Sequence, residues 1–232
     1  MKKGVKESKP WVISLGGSRI APDDVDYNFI SKFEKIISKH SDKKFAVVCG
    51  GGSTARRYIS ALRKHGATTK KQSRVGIAVT RMHAGFLARL FGKKANEVLP
   101  KNMKKVGDLL KRNQVVFCGA LRYKDKNTSD GTAANLAGFL GAKFINITNV
   151  RGLYTGNPKT NKNVKFIKKT SWKKFYERAR KIKFKAGQHF VLDQSAAKII
   201  LVKKIPTYII GSLVDLDRII KNKNFSGTLI SG

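Results

Sequence analysis

Short apolar runs alternate along this chain with longer amphipathic stretches, and no other feature narrows its fold as much. WVISL (11–15), FAVVC (45–49), VVFC (115–118), FINIT (144–148) and PTYIIG (206–211) are the clearest runs. They read as strands, and their alternation with helical stretches is the pattern of an α/β fold built on a largely parallel central sheet. Four of the five end at glycine or a small polar residue, where strand ends in such sheets meet ligands. Between the first two, residues 24–40 place Phe29, Phe33, Ile36 and Ile37 on one face with lysines opposite, which predicts a packed surface helix. SDGTAANLAGFLGA (129–142) predicts a second, with Ser129 or Asp130 as N-cap, an Ala133/Leu136/Leu140 stripe and Gly141 as the stop. No repeat and no Pro/Gly/Ser linker divides the chain, so one domain is expected over 1–232, with 1–10 as a flexible basic N-terminus.

Charge bears on partners rather than on fold. The 49 Lys+Arg stand against 14 Asp+Glu, and the net +35 implies polyanionic surroundings: phosphate substrates, RNA, or an organism-wide lysine bias. The charge is densest over 159–185, where twelve of 27 residues are Lys or Arg and Phe166, Trp172, Phe175, Tyr176 and Phe184 are interleaved. That mixture suits RNA, but a peripheral helix near 171–182 with Trp172, Phe175 and Ala179 turned inward is the favoured reading. Two cysteines, Cys49 and Cys118, exclude a disulfide framework and an all-cysteine zinc site; both read as small buried residues at strand ends rather than nucleophiles. His40, His65, His83 and His189 have no metal-ligand spacing. No run approaches the ~20 apolar residues of a membrane span, so a soluble, cytoplasmic protein is expected.

Two glycine clusters carry the chemistry. SLGGS (14–18) follows the first strand and CGGGSTARR (49–57) the second, so two successive strands end in turns where a ligand can approach bare backbone. After the second, Ser53 or Thr54 is placed to cap a helix whose N-terminal N–H groups suit a phosphate, with Arg56 on the first turn. Neither cluster is a Walker A loop or a G-x-G-x-x-G fingerprint. Either alone is explained by a tight turn; together, with the arginine, they favour an anion site.

With SLGGS, VVCGGGSTARRYI, GIAVTR, TSDGTAANLAGFLGAKFINITNV, GLYTGNP, KAGQHFVLDQSAAKII and GTLI in this order, the chain resembles the amino-acid kinase superfamily and, within it, the archaeal-type UMP kinases. The likeness runs from Trp11 to Ile230. It implies a three-layer αβα sandwich, transfer of the γ-phosphoryl of Mg-ATP to UMP in pyrimidine biosynthesis, and a homohexamer. By resemblance, Gly17, Ser18, Gly52, Arg56, Thr148, Tyr154 and Asn157 serve ATP. Gly51, Ser73, Lys126, Asn127, Thr128 and Ser129 serve UMP. Asp193 and Arg56 are the catalytic pair, and Mg2+ is carried by ATP, with no metal site of the protein's own. Phosphoryl transfer asks mainly for positioning and for neutralising charge on the transferring group, which glycine backbone and arginine supply.

The chain departs from the family pattern at ligand positions. Ser73 stands where an aspartate usually holds the UMP ribose, and His83 where an asparagine is usual, beside a retained Arg81. The acceptor loop is ALRYKDKNTS (120–129), and Arg151 and Asn157 replace aspartates near ATP. Two alternatives therefore stand beside UMP kinase: a related kinase with another phosphorylated acceptor, and a decayed paralogue that binds RNA through 159–185.

Overall fold

The computed structural model describes residues 9–121, 128–158, 160–181 and 192–232. Lys126, Asn127, Phe184, His189 and the first eight residues, named above as expectations, lie outside them. In chain order the elements are β1 (Trp11–Leu15), α1 (Gly17–Ile20), α2 (Tyr27–Lys39), β2 (Phe45–Cys49), α3 (Gly52–Lys64), α4 (Thr69–Phe91), α5 (Met103–Arg112), β3 (Val115–Cys118) and α6 (Ser129–Leu140). There follow β4 (Lys143–Ile147), β5 (Leu153–Tyr154), β6 (Phe166–Ile167), β7 (Lys169–Thr170), α7 (Trp172–Arg180), α8 (Gln194–Lys203), β8 (Thr207–Ile210), α9 (Leu213–Ile220) and β9 (Thr228–Ile230).

All five runs predicted as strands are strands, and they lie side by side. The seven-stranded sheet has the order β3-β2-β1-β4-β8-β9-β7, parallel from β3 to β8. β9 then turns back antiparallel to β8, and β7 pairs parallel with β9. A separate ribbon joins β5 to β6. Register aligns Leu15 with both Cys49 and Ile147, so β1, β2 and β4 end level and their following loops share one rim.

Strands buried on both faces need apolar partners above and below, and successive side chains divide between the two. Trp11, Ile13, Leu15, Phe45, Val47, Phe117 and Ile145 point into one cluster, closed by Phe33 and Ile37 of α2, Leu87 and Phe91 of α4 and Leu216 of α9. Val12, Ala46, Val48, Val116 and Phe144 point into the other, closed by Leu110 of α5, Leu136 of α6, Phe175 of α7 and Ile200 of α8. The outcome is a three-layer αβα arrangement. Full burial of Phe33 and Ile37 against this sheet stabilises it by roughly 1.5–3 kcal/mol per side chain. Cys49 and Cys118 fall in opposite clusters, so the sheet itself separates the two thiols.

Helix ends show where local signals misled. α2 is capped by Asp26, whose side chain accepts from Phe29 N at 2.9 Å, and α6 ends at Gly141 in the left-handed conformation, φ 59°, as predicted. The N-cap of α6, however, is Thr128, whose hydroxyl accepts from Gly131 N at 3.1 Å, rather than Ser129 or Asp130. α3 starts at Gly52 with Gly51 as N-cap, because the Ser53 hydroxyl is drawn away to the carbonyls of Ala21 and Pro22 and caps nothing. The 171–182 helix is α7: Phe175 and Ala179 are buried, and half-buried Trp172 donates Nε1–H to Ile205 O at 2.9 Å. The inward-packed reading holds for these three side chains.

Candidate active site

The two glycine turns, 35 residues apart in sequence by number (52 − 17), lie backbone against backbone on the rim. A Cβ on Gly17 would stand 2.4 Å from Gly52 N and 2.5 Å from Gly50 O; one on Gly52 would stand 2.4 Å from Gly17 C and from Ser18 N. Gly52 also has φ +59°, which disfavours any side chain. These glycines are therefore required before a ligand is considered, which changes the reason expected from sequence: the loops need bare backbone to touch each other. What results is a continuous strip of main chain at the start of α3, whose first N–H groups have no partner within the helix and whose dipole is positive there.

Two side chains fix this strip. His83, buried on α4, places Nδ1 2.8 Å from Gly50 O. The carbonyl only accepts, so Nδ1 carries the proton. His83 thus anchors the second glycine turn, a role that the sequence did not announce. Arg56, exposed on the first turn of α3, directs Nη2 toward Ser18 Oγ at 3.5 Å, across the junction of the two turns. Both residues expected on the ATP side, Ser18 and Arg56, are thereby brought together with Gly17 and Gly52.

Gly51, expected on the acceptor side, approaches α4: a Cβ there would meet Gly76 O and Thr80 Cγ2, each at 3.6 Å. Ser73, half-buried, lies one turn before Gly76, so helical spacing puts it on the same side of α4. The loop after β3 is clamped on that helix. Thr80 Oγ1 accepts from Ala120 N at 3.0 Å, and Arg81 donates from Nε and Nη2 to the carbonyls of Ala120 and Leu121, both at 3.3 Å. Arg81 accordingly sets where the 120–129 loop departs.

Against Ser14 of β1 the structure sets a carboxylate that sequence reading half missed. Asp130, considered only as a helix cap, accepts from Ser14 Oγ at 2.7 Å, and burial together with the nearby Asp193 charge pushes its pKa up to about 7. Burial is the larger cause, opposed by the Ser14 hydrogen bond. Asp193 caps α8, accepting from Ala196 N at 2.9 Å through Oδ1, while the Thr128 hydroxyl donates to Oδ2. Both oxygens of Asp193 are thus engaged, and it positions Thr128. The usable signal for Asp130 lay in TSDG (128–131): three cap-competent residues in a row leave two for other work.

The remaining expected residues lie on other segments. Thr148 follows β4 and donates its N–H to Ile210 O at 2.9 Å. Tyr154 ends β5, half-buried and edge-on to Phe166 at 5.4 Å between centroids. Exposed Asn157 accepts through its carbonyl from Asn161 N at 3.0 Å. Ser129 is half-buried on the first turn of α6. The buried cysteines take no part in the chemistry of anions: burial pushes the Cys118 thiol up to about 12 and Cys49 well above its usual value.

Comparison with known proteins places the chain in a family. Residues 9–211 match the model of the amino acid kinase family. The chain belongs to the amino acid kinase family. Within it, the uridylate kinase of Thermococcus kodakarensis is 33% identical over 223 residues, 94% of this chain and 98% of that one. The uridylate kinase of Pyrococcus abyssi is 35% identical over 202 residues, 86% of this chain and 89% of that one. Among solved structures, uridylate kinase from Archaeoglobus fulgidus superposes with a TM-score of 0.84 at 33% identity, covering 96% of this chain and all of that one. A UMP kinase from Bacillus anthracis, 17% identical with a TM-score of 0.80 over 96% of each chain, shares the amino acid kinase fold.

Proposed function

We propose that the chain is a UMP kinase, an ATP-dependent phosphotransferase giving UDP and ADP, built as one domain. Its end-to-end likeness to uridylate kinases in sequence and in fold carries this reading. The site chemistry agrees. The Gly17/Gly52 junction presents main-chain donors, Arg56 adds a cation that follows charge onto the transferring phosphoryl, and Gly51 with Ser73, Thr128 and Ser129 faces the acceptor. Thr148, Tyr154 and Asn157 receive the ATP base and ribose. Arg56 is the catalytic residue in this scheme, whereas Asp193 acts through Thr128 as a positioning residue.

Mg2+ is expected with ATP and supplies neutralisation of the polyphosphate. Among the carboxylates near Ser14, Asp130 is the one that could approach such a cation, since both oxygens of Asp193 are engaged by Ala196 N and the Thr128 hydroxyl. No helix among the described residues is long and apolar enough to cross a membrane. A homo-oligomer is supported by α3, which buries only Ala55 and leaves Tyr58 58% exposed. The test is ADP release with UMP, CMP, AMP and isopentenyl phosphate as acceptors, with light scattering for oligomeric state. Turnover confined to UMP is expected; no turnover with any of the four refutes the kinase reading.

A further inference from the structure

Three strand positions along the sheet from β1, the loop entering β9, the last turn of α9, the loop after β4 and the segment around β6 line a hollow of about 250 Å³. Its walls carry Arg151, Lys168, Arg218 and Asn224, and its rings are Phe166 and Phe225. None of the residues assigned above to ATP or UMP lines it. Every charged side chain in this lining is a cation. The nearest acid, Asp215, is buried behind it, accepting from Ser226 N at 2.8 Å and meeting Arg218 Nη1 only at 3.8 Å.

Exposed lysines and arginines are common in a chain of +35, so number alone decides nothing. Preorganisation does. The Arg151 guanidinium is stacked over the Phe166 ring at 4.3 Å and held through Nε to Ser226 Oγ at 2.8 Å, which leaves its Nη groups as a fixed fork. A planar fork facing a second and a third cation across a concave surface matches a multiply charged oxyanion rather than a carboxylate or a lone charge. The second observation is Phe166 itself: its edge meets Tyr154 on the ribbon that carries the proposed ATP base site, while its face carries Arg151. One ring therefore joins the hollow to the nucleotide segment.

We infer that this hollow is a second anion site, taking a di- or triphosphate group through Arg151, Lys168 and Arg218. That group is either free pyrophosphate or the tail of a nucleotide bound outside the catalytic cleft. The hollow adjoins the segment that carries the proposed ATP base site, where Arg151 stands at a family aspartate position, but it shares none of the residues assigned to ATP or UMP; only the choice of competitors in its test rests on the kinase reading.

The experiment is equilibrium dialysis of the full chain against labelled pyrophosphate at constant ionic strength, with and without saturating UMP and a non-hydrolysable ATP analogue. One pyrophosphate per chain is expected to remain bound under saturation. In Lys168→Glu, and separately in Arg151→Gln, its affinity falls at least tenfold, as loss of a charge-assisted contact requires. Competition with GTP and with UTP then identifies the source: displacement assigns the site to a nucleotide tail, and no displacement to the free anion. Loss of all pyrophosphate binding under saturation, or equal affinity in both variants and the unaltered chain, overturns the inference. Failure of the kinase reading would appear elsewhere, as absent ADP release, while the dialysis of the nucleotide-free chain would still register the two substitutions.

Discussion

Replacing Asp130 with Asn tests the electrostatics of the site most directly. In the folded chain burial, and secondarily Asp193, push the carboxyl from its ordinary 3.8 up to about 7. A folded-state carboxyl that holds its proton longer than the unfolded one adds nothing to the pH dependence below about pH 4. It lowers stability progressively as pH rises from about 4 to 7, and leaves the full penalty above that. Three units at about 1.4 kcal/mol each set a ceiling of ~4 kcal/mol. Asp130 is half-buried, and solvent screening brings the expected penalty to about 2 kcal/mol. Asn keeps an acceptor for Ser14 without the charge. Urea unfolding of both proteins at pH 4 and pH 8, without nucleotides, should give matching stabilities at the lower pH and a variant about 2 kcal/mol more stable at the higher. Parallel stability curves would refute the burial argument, as would a variant less stable at pH 8.

Gly17→Ala should destabilise the fold by about 3 kcal/mol or more, since its Cβ meets Gly52 and Gly50 main chain at 2.4–2.5 Å; Gly107→Ala, in α5 with no atom nearer than 3.7 Å, should instead stabilise it by about 0.5–1 kcal/mol, both read by thermal unfolding. Arg56→Ala should lower kcat on the order of 100-fold with little change in unfolding, because the side chain is exposed and makes one 3.5 Å contact. Ser73→Asp should lower the KM for UMP about tenfold and leave that for ATP unchanged, measured by ADP release. Native Cys49 and Cys118 should resist alkylation at pH 8 and react only on unfolding, since both are buried with raised pKa values.

The strands were legible because apolar runs ended by glycine mark a strand and its exit together, and α2 because Phe29, Phe33, Ile36 and Ile37 form a clean stripe opposite lysines, although its cap Asp26 was not named beforehand. α4 was not. Its 23 residues include Lys70, Lys71, Gly76 and Gly85 and bury little before Val79, so no long periodic face stands out. The cap of α6 was missed for a different reason. Thr128, Ser129 and Asp130 are equally good caps locally, and the choice is made by partners 116 and 65 residues away, Ser14 for Asp130 and Asp193 for Thr128. His83 was noticed as an unusual residue, but its grip on Gly50 depends on how α4 crosses the end of β2, which local sequence does not specify.

The contact between Gly17 and Gly52 has a consequence for how such a protein can diversify. Because the two turns exclude every side chain from each other, neither can be altered without the other, and the cradle behaves as a fixed chassis. Under the proposed assignment, acceptor preference is tuned at detachable fittings: Ser73 on α4, and the loop that Arg81 and Thr80 clamp at Ala120. Of the places where this chain departs from the family pattern, Ser73 and the 120–129 loop are fittings of this kind, whereas His83 belongs to the chassis, holding Gly50 in place.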